Sequence, residues 1–139
     1  MIKRTLSYTI LLLCFLVTIP KASAQISDPV KWSWDVTETS DGGTVTITAV
    51  IQPGWHIYGL EKVKNGPVPT SITFADIDGI AFGEITPDIE PKTIIDKAFD
   101  LKLKEWTGTV TFECDYHLSH PISTALTGII EYMACREGA

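Results

Sequence analysis

From residue 30 onward, apolar and polar side chains alternate with a period of two, the pattern of strands that bury one face. Trp32, Trp34 and Val36 share one face of a first strand, with Lys31, Ser33 and Asp35 on the other, and Asp41-Gly42-Gly43 supplies a turn. Val45, Ile47, Ala49 and Ile51 then alternate with Thr44, Thr46 and Thr48, a β-branched run suited to a half-buried pleated surface, and Pro53-Gly54 ends it. Trp55-His56-Ile57-Tyr58 reads as a short strand. The loop after it closes on Gly66-Pro67-Val68-Pro69, where two prolines impose extended backbone without ladder donors.

Residues 70–74 and 80–86 read as further strands, 87–97 as a loop with two prolines, and Phe99, Leu101 and Leu103 resume the alternation. The clearest pair comes last. Residues 107–118 turn Val110, Phe112, Cys114 and Tyr116 inward, and residues 126–134 turn in Leu126, Ile130, Tyr132 and Ala134, so that a hairpin about the 119–125 loop is expected. No stretch carries the three-to-four repeat of a helix of several turns. Seven or eight short strands with turn signals every 8–12 residues predict an all-β fold, an immunoglobulin-like antiparallel β-sandwich.

The first residues break this pattern. Lys3 and Arg4 precede an apolar run over residues 10–19, followed by Pro20 and Ala22-Ser23-Ala24, the form of an export signal cleaved before Gln25. The apolar run is shorter than the roughly 20 residues a membrane-crossing helix needs, so a signal peptide over 1–24 is preferred to an anchor. Cys14 lies within it. The remaining 115 residues, 25–139, make one domain, long enough to bury about two-thirds of the surface of the unfolded chain. They carry all 17 acidic side chains against 8 Lys and Arg, a net charge of −9 that argues against nucleic acid and anionic membrane surfaces as partners.

Export leaves Cys114 and Cys135 in an oxidising compartment, where thiols are paired, catalytic or hidden. In the expected hairpin, Cys114 stands opposite about residue 129, which sets Cys135 on the order of 20 Å away at ~3.4 Å per residue. A disulfide needs Cα atoms within about 7 Å. Cys114 is therefore read as a small buried hydrophobe, whereas Cys135, past a strand end and beside Arg136, is expected to be accessible with some thiolate character. His117 and His120 are three apart but lack a cysteine or carboxylate to complete a metal set, so the three histidines are expected at the surface or in loops. The four tryptophans are expected in the core.

Four segments, in order and spacing, carry a family resemblance: Asp28-Pro29-Val30-Lys31-Trp32, Pro53-Gly54-Trp55-His56-Ile57-Tyr58, Gly66-Pro67-Val68-Pro69-Thr70-Ser71, and Gly128-Ile129-Ile130-Glu131-Tyr132-Met133-Ala134-Cys135. Across nearly all of residues 25–139 the chain resembles the N-terminal domain of DsbD-type thiol:disulfide interchange proteins, whose domain is an immunoglobulin-like sandwich. The resemblance implies that Cys135 is the first member of a redox pair. Its partner would follow within a few residues, where this sequence has Arg136-Glu137-Gly138-Ala139, so the domain reads as cut short at its C-terminal end.

The family also shields its cysteines with a loop bearing an aromatic side chain. Asp96-Lys97-Ala98-Phe99 is the matching candidate, with Asp96 and Phe99 as cap residues and a plain core role for Phe99 as the alternative. The implied function is a periplasmic redox relay, a module of a protein-disulfide reductase that takes electrons from a thioredoxin-like domain and passes them to disulfides of exported proteins. No metal or organic cofactor is implied. The mature domain itself would not insert in a membrane, although a following membrane domain could tether it. The rival expectation is a non-catalytic immunoglobulin-like binding module of the cell envelope.

Overall fold

A computed structural model describes residues 28–137; the expected export signal over 1–24 lies outside the described residues. Among the described residues eleven strands follow one another: β1 (Val30–Thr39), β2 (Gly42–Ile51), β3 (Trp55–Tyr58), β4 (Ser71–Phe74), β5 (Ile80–Phe82), β6 (Thr86–Pro87), β7 (Lys92–Asp96), β8 (Leu101–Trp106), β9 (Thr109–Leu118), β10 (Gly128–Glu131) and β11 (Ala134–Arg136). There is no helix among the described residues.

β1 and β2 pair antiparallel along their whole length, from Val30 opposite Ile51 to Thr39 opposite Gly42, and β2 pairs in turn with β9. Because side chains alternate across a sheet, Val45, Ile47, Ala49 and Ile51 of β2 meet Val110, Phe112 and Tyr116 of β9 on one buried face. The threonines take the other face, where Thr44 Oγ1 donates to Asp115 Oδ1 at 2.6 Å and Thr48 and Thr111 bond at 3.3 Å. The far edge of β9 carries β5 and then β6. Phe82 stands opposite Tyr116 but Thr86 opposite Glu113, so one extra residue is taken up between them, which breaks the expected 80–86 strand in two.

A second antiparallel sheet runs in the order β11-β3-β8-β7, and β10 pairs with β4 beside it. Ile57 of β3, Ile72 of β4 and Trp106 of β8 face the first sheet and close a single apolar core with Val45, Ile47 and Phe112. The sheets thus pack face to face through one core, an all-β antiparallel arrangement compatible with a β-sandwich. Phe112 sits at its centre, fully buried, in a T-shaped contact with Trp106, ring centres 5.2 Å apart, and stacked on the Trp32 ring, centres 6.3 Å apart. Burying a side chain of this size stabilises the fold by about 1.5–3 kcal/mol before the aromatic contacts are added. Gly108, at φ +71°, forms the corner where the chain leaves β8 for β9, a conformation that glycine adopts without strain.

Four expectations are corrected. Residues 107–118 and 126–134 do not form a hairpin: β9 pairs with β2, β5 and β6, while β10 pairs with β4 and β11 with β3. The predicted 87–97 loop contains β7, an edge strand zipped to β8 from Lys92 opposite Glu105 to Asp96 opposite Leu101. Cys135 lies within a strand, β11, rather than past a strand end. Trp34 shares the inward face of β1 but remains 73 % exposed, because it stands at the open rim of a cavity and not under the opposite sheet.

Candidate functional site

Ile57 points into the core, so the pleat turns its neighbours His56 and Tyr58 to the opposite face of β3. Cys135 stands directly across the ladder from His56, and Ala134 across from Ile57, which puts the Cys135 side chain on the same outward face. On the other side of β3, Glu105 stands opposite Tyr58. Cys135, His56, Tyr58 and Glu105 therefore gather on the face of the sheet turned away from the core.

The β7–β8 hairpin brings two more residues to this face. Asp96 and Leu101 close a four-residue loop, 97–100, in which Asp100 takes a left-handed backbone at φ +54°. Asp96 organises the loop as an Asx-type turn: its Oδ1 accepts the N–H of Ala98 at 2.8 Å and of Phe99 at 3.1 Å. Its Oδ2 accepts the Tyr58 hydroxyl at 2.8 Å. Phe99 meets the Tyr58 ring edge to face at 6.1 Å, and Cys135 is among the neighbours whose charge acts on the Tyr58 hydroxyl. One phenol thus lies beside both the loop and the cysteine. Its own backbone is held by Thr70, whose hydroxyl donates to the Tyr58 carbonyl at 2.6 Å.

The electrostatics follow from burial and these bonds. Burial, the bond to Asp96 and the neighbouring Cys135 push the Tyr58 phenol well above its ordinary range, so it stays a donor. Burial pushes the Asp96 carboxyl upward, but the bonds from Tyr58, Phe99 and Ala98 outweigh it and hold the group below the usual carboxylate range. Glu105 is raised, first by burial and then by Glu137 and Asp96, against the attraction of His56 and Lys92. Both nitrogens of the His56 ring are buried without a hydrogen-bond partner, and Nε2 lies 3.5 Å from Glu105 Oε2.

Of the residues singled out in the sequence, Cys135, Asp96 and Phe99 come together at this site. Cys114 does not: it is 1 % exposed on the inward face of β9, where its thiol donates to the Gly83 carbonyl at 3.4 Å, and both cysteines are free. Arg136 is not beside the thiol, since the pleat turns it to the other face, with its guanidinium 5.2 Å from the centre of the Trp55 ring. His117 and His120 are exposed as expected, but His56 is buried, contrary to the expectation of a surface or loop histidine. Sequence reasoning missed His56, Tyr58 and Glu105 as members of the site. The available signal was the register of Trp55-His56-Ile57-Tyr58, where an inward Ile57 already commits His56 and Tyr58 to one face.

Among the described residues, no group of three or more His, Cys, Asp or Glu side chains is arranged to hold a metal ion. A cavity of about 290 Å³ adjoins Tyr58 and is covered in part by Pro67 and Pro69, the rigid segment noted in the sequence. A larger cavity of about 650 Å³ opens between β1, β2, β4 and β10, is lined mainly by aliphatic side chains with Glu38 as its one charged residue, and includes no member of the cysteine site. The chemistry favours the cysteine site over this larger space, because a nucleophilic thiol and several titratable groups converge there. Compared with known proteins, the chain matches no family model, no curated protein and no solved structure.

Proposed function

We propose that this domain carries out thiol-disulfide exchange at Cys135, as a relay module of the DsbD N-terminal type, with an immunoglobulin-like sandwich as its scaffold and the periplasm as its compartment. The observation that supports this reading most is the Asp96–Phe99 loop, bonded to Tyr58 on the same outward sheet face as Cys135. A structural cysteine needs no such arrangement. A reacting one gains from a loop that shields it between partners and can swing aside for one.

In the exchange, the deprotonated Cys135 sulfur attacks one sulfur of a partner disulfide. A Cys135–partner S–S bond forms, the partner's own S–S bond breaks, and its second sulfur leaves as a thiolate that takes up a proton. Cys114 is in the opposite sheet, so it is not placed to resolve the mixed disulfide. The partners are thioredoxin-like domains or proteins of the envelope.

The test is to mix the reduced chain with an oxidised thioredoxin-like protein and separate the products by non-reducing electrophoresis. A covalent adduct that a Cys135→Ser variant fails to form supports the reading. No adduct beyond that of the variant would retire it in favour of a non-catalytic binding module.

A further inference from the structure

We infer that His56, oriented by Glu105, is the group that takes the proton from Cys135 as it attacks and returns it to the leaving sulfur. This inference rests on the exchange reading. It starts from a cost that the fold bears without a structural return. His56 is 6 % exposed, and neither ring nitrogen has a hydrogen-bond partner, although buried polar groups are satisfied in the great majority of cases. An apolar side chain would fill the same space on β3 at no such cost.

The neighbours of His56 give the imidazole a use. Cys135 is its cross-strand partner. Two positions along, beyond Arg136 and Trp55, Glu137 is joined to Gly54 by a 2.8 Å backbone bond; because bonded and non-bonded pairs alternate, Cys135 and His56 also form a hydrogen-bonded pair, with Cα atoms about 5.5 Å apart and side chains on one face. Glu105 lies on the strand at the other side of β3 with its carboxylate 3.5 Å from Nε2. A carboxylate there favours the tautomer that carries hydrogen on Nε2 and leaves the Nδ1 lone pair free to accept a proton.

The groups facing the ring are Cys135 from β11, Tyr58 from β3, Glu105 from β8 and Asp96 from β7. Both carboxylates attract the charge that the ring gains on protonation. As the S–S bond to the partner forms, the Cys135 proton passes to His56; as the partner's sulfur departs, the same proton passes to it, and no proton or electron is left over.

The experiment measures alkylation of Cys135 by iodoacetamide and adduct formation with an oxidised thioredoxin-like protein, for the wild-type chain and for His56→Gln, His56→Ala and Glu105→Gln, with thermal midpoints as a check of folding. General-base assistance contributes about a hundredfold or more. His56→Gln is therefore expected to slow both reactions by about that factor, and Glu105→Gln by a smaller one. Free imidazole is expected to restore the rate of His56→Ala, whereas pyrrole, of the same shape but without a basic nitrogen, is not.

Unchanged rates in a folded His56→Gln, or equal rescue by pyrrole, overturn the inference. Should His56→Gln fail to fold, Glu105→Gln decides: an unchanged rate there overturns it. Failure of the exchange reading looks different, since the wild-type chain would then form no adduct beyond that of Cys135→Ser.

Discussion

The Tyr58 hydroxyl donates to Asp96 Oδ2 at 2.8 Å, while the other oxygen of the same carboxylate holds the backbone of the loop that ends in Phe99. One carboxylate therefore does two jobs, and its partner phenol shares the outward sheet face with Cys135. Tyr58→Phe keeps the ring contact with Phe99 and removes only the hydroxyl. The expected outcome is a loss of about 1.5–3 kcal/mol, the range for a hydrogen bond to a charged group, together with faster labelling of Cys135 as the loop loosens. A denaturant midpoint that falls with an unchanged slope, and a labelling time course, check the two halves.

The Asp96 carboxyl also makes stability depend on acid. Its folded-state value is depressed, so the stabilisation it brings is complete above the unfolded carboxyl value, about pH 4, and fades as the pH falls through the lower folded value. Asp96→Asn should accordingly be less stable than the wild type at neutral pH, with the difference shrinking below about pH 4. Thermal midpoints of the two proteins across this range decide; a constant difference would show that the charge plays no part.

Cys135 and Cys114 should respond oppositely to a thiol reagent under native conditions. Cys114 is 1 % exposed and burial raises its thiol above the ordinary range, so it should label only when the domain unfolds. Mass spectrometry should find a single modification at Cys135. Reductant should leave the thermal midpoint unchanged, since both cysteines are free and lie in separate sheets.

Phe112→Ala should be the most damaging of these substitutions. The side chain is fully buried and holds two tryptophan rings, so truncation leaves a cavity costing about 3–5 kcal/mol. That is a large fraction of the 5–15 kcal/mol by which domains are stable. Chemical denaturation of the purified variant is the measurement.

Alternation along the chain was enough to set which way side chains point. The inward residues of β2 and β9, the burial of Cys114 and the short strand Trp55–Tyr58 were all legible, because a strand with one buried face writes its period of two into local sequence. Local sequence does not state which edge a strand will join. The adjacent segments β9 and β10 read as a hairpin, yet β10 and β11 cross to β4 and β3, because pairing is decided by how the layers close over Ile57, Trp106 and Phe112.

The same limit hid β7, a five-residue edge strand behind Pro87 and Pro91 that pairs only because β8 offers it a free edge. It also hid the site. Cys135 could be singled out as a residue, and Asp96 and Phe99 as a loop, but what joins them is a phenol and a histidine from a strand nearly 80 positions away from the cysteine. Their convergence depends on four strands, β11, β3, β8 and β7, lying side by side with their outward faces in register, which only the packed sheet supplies.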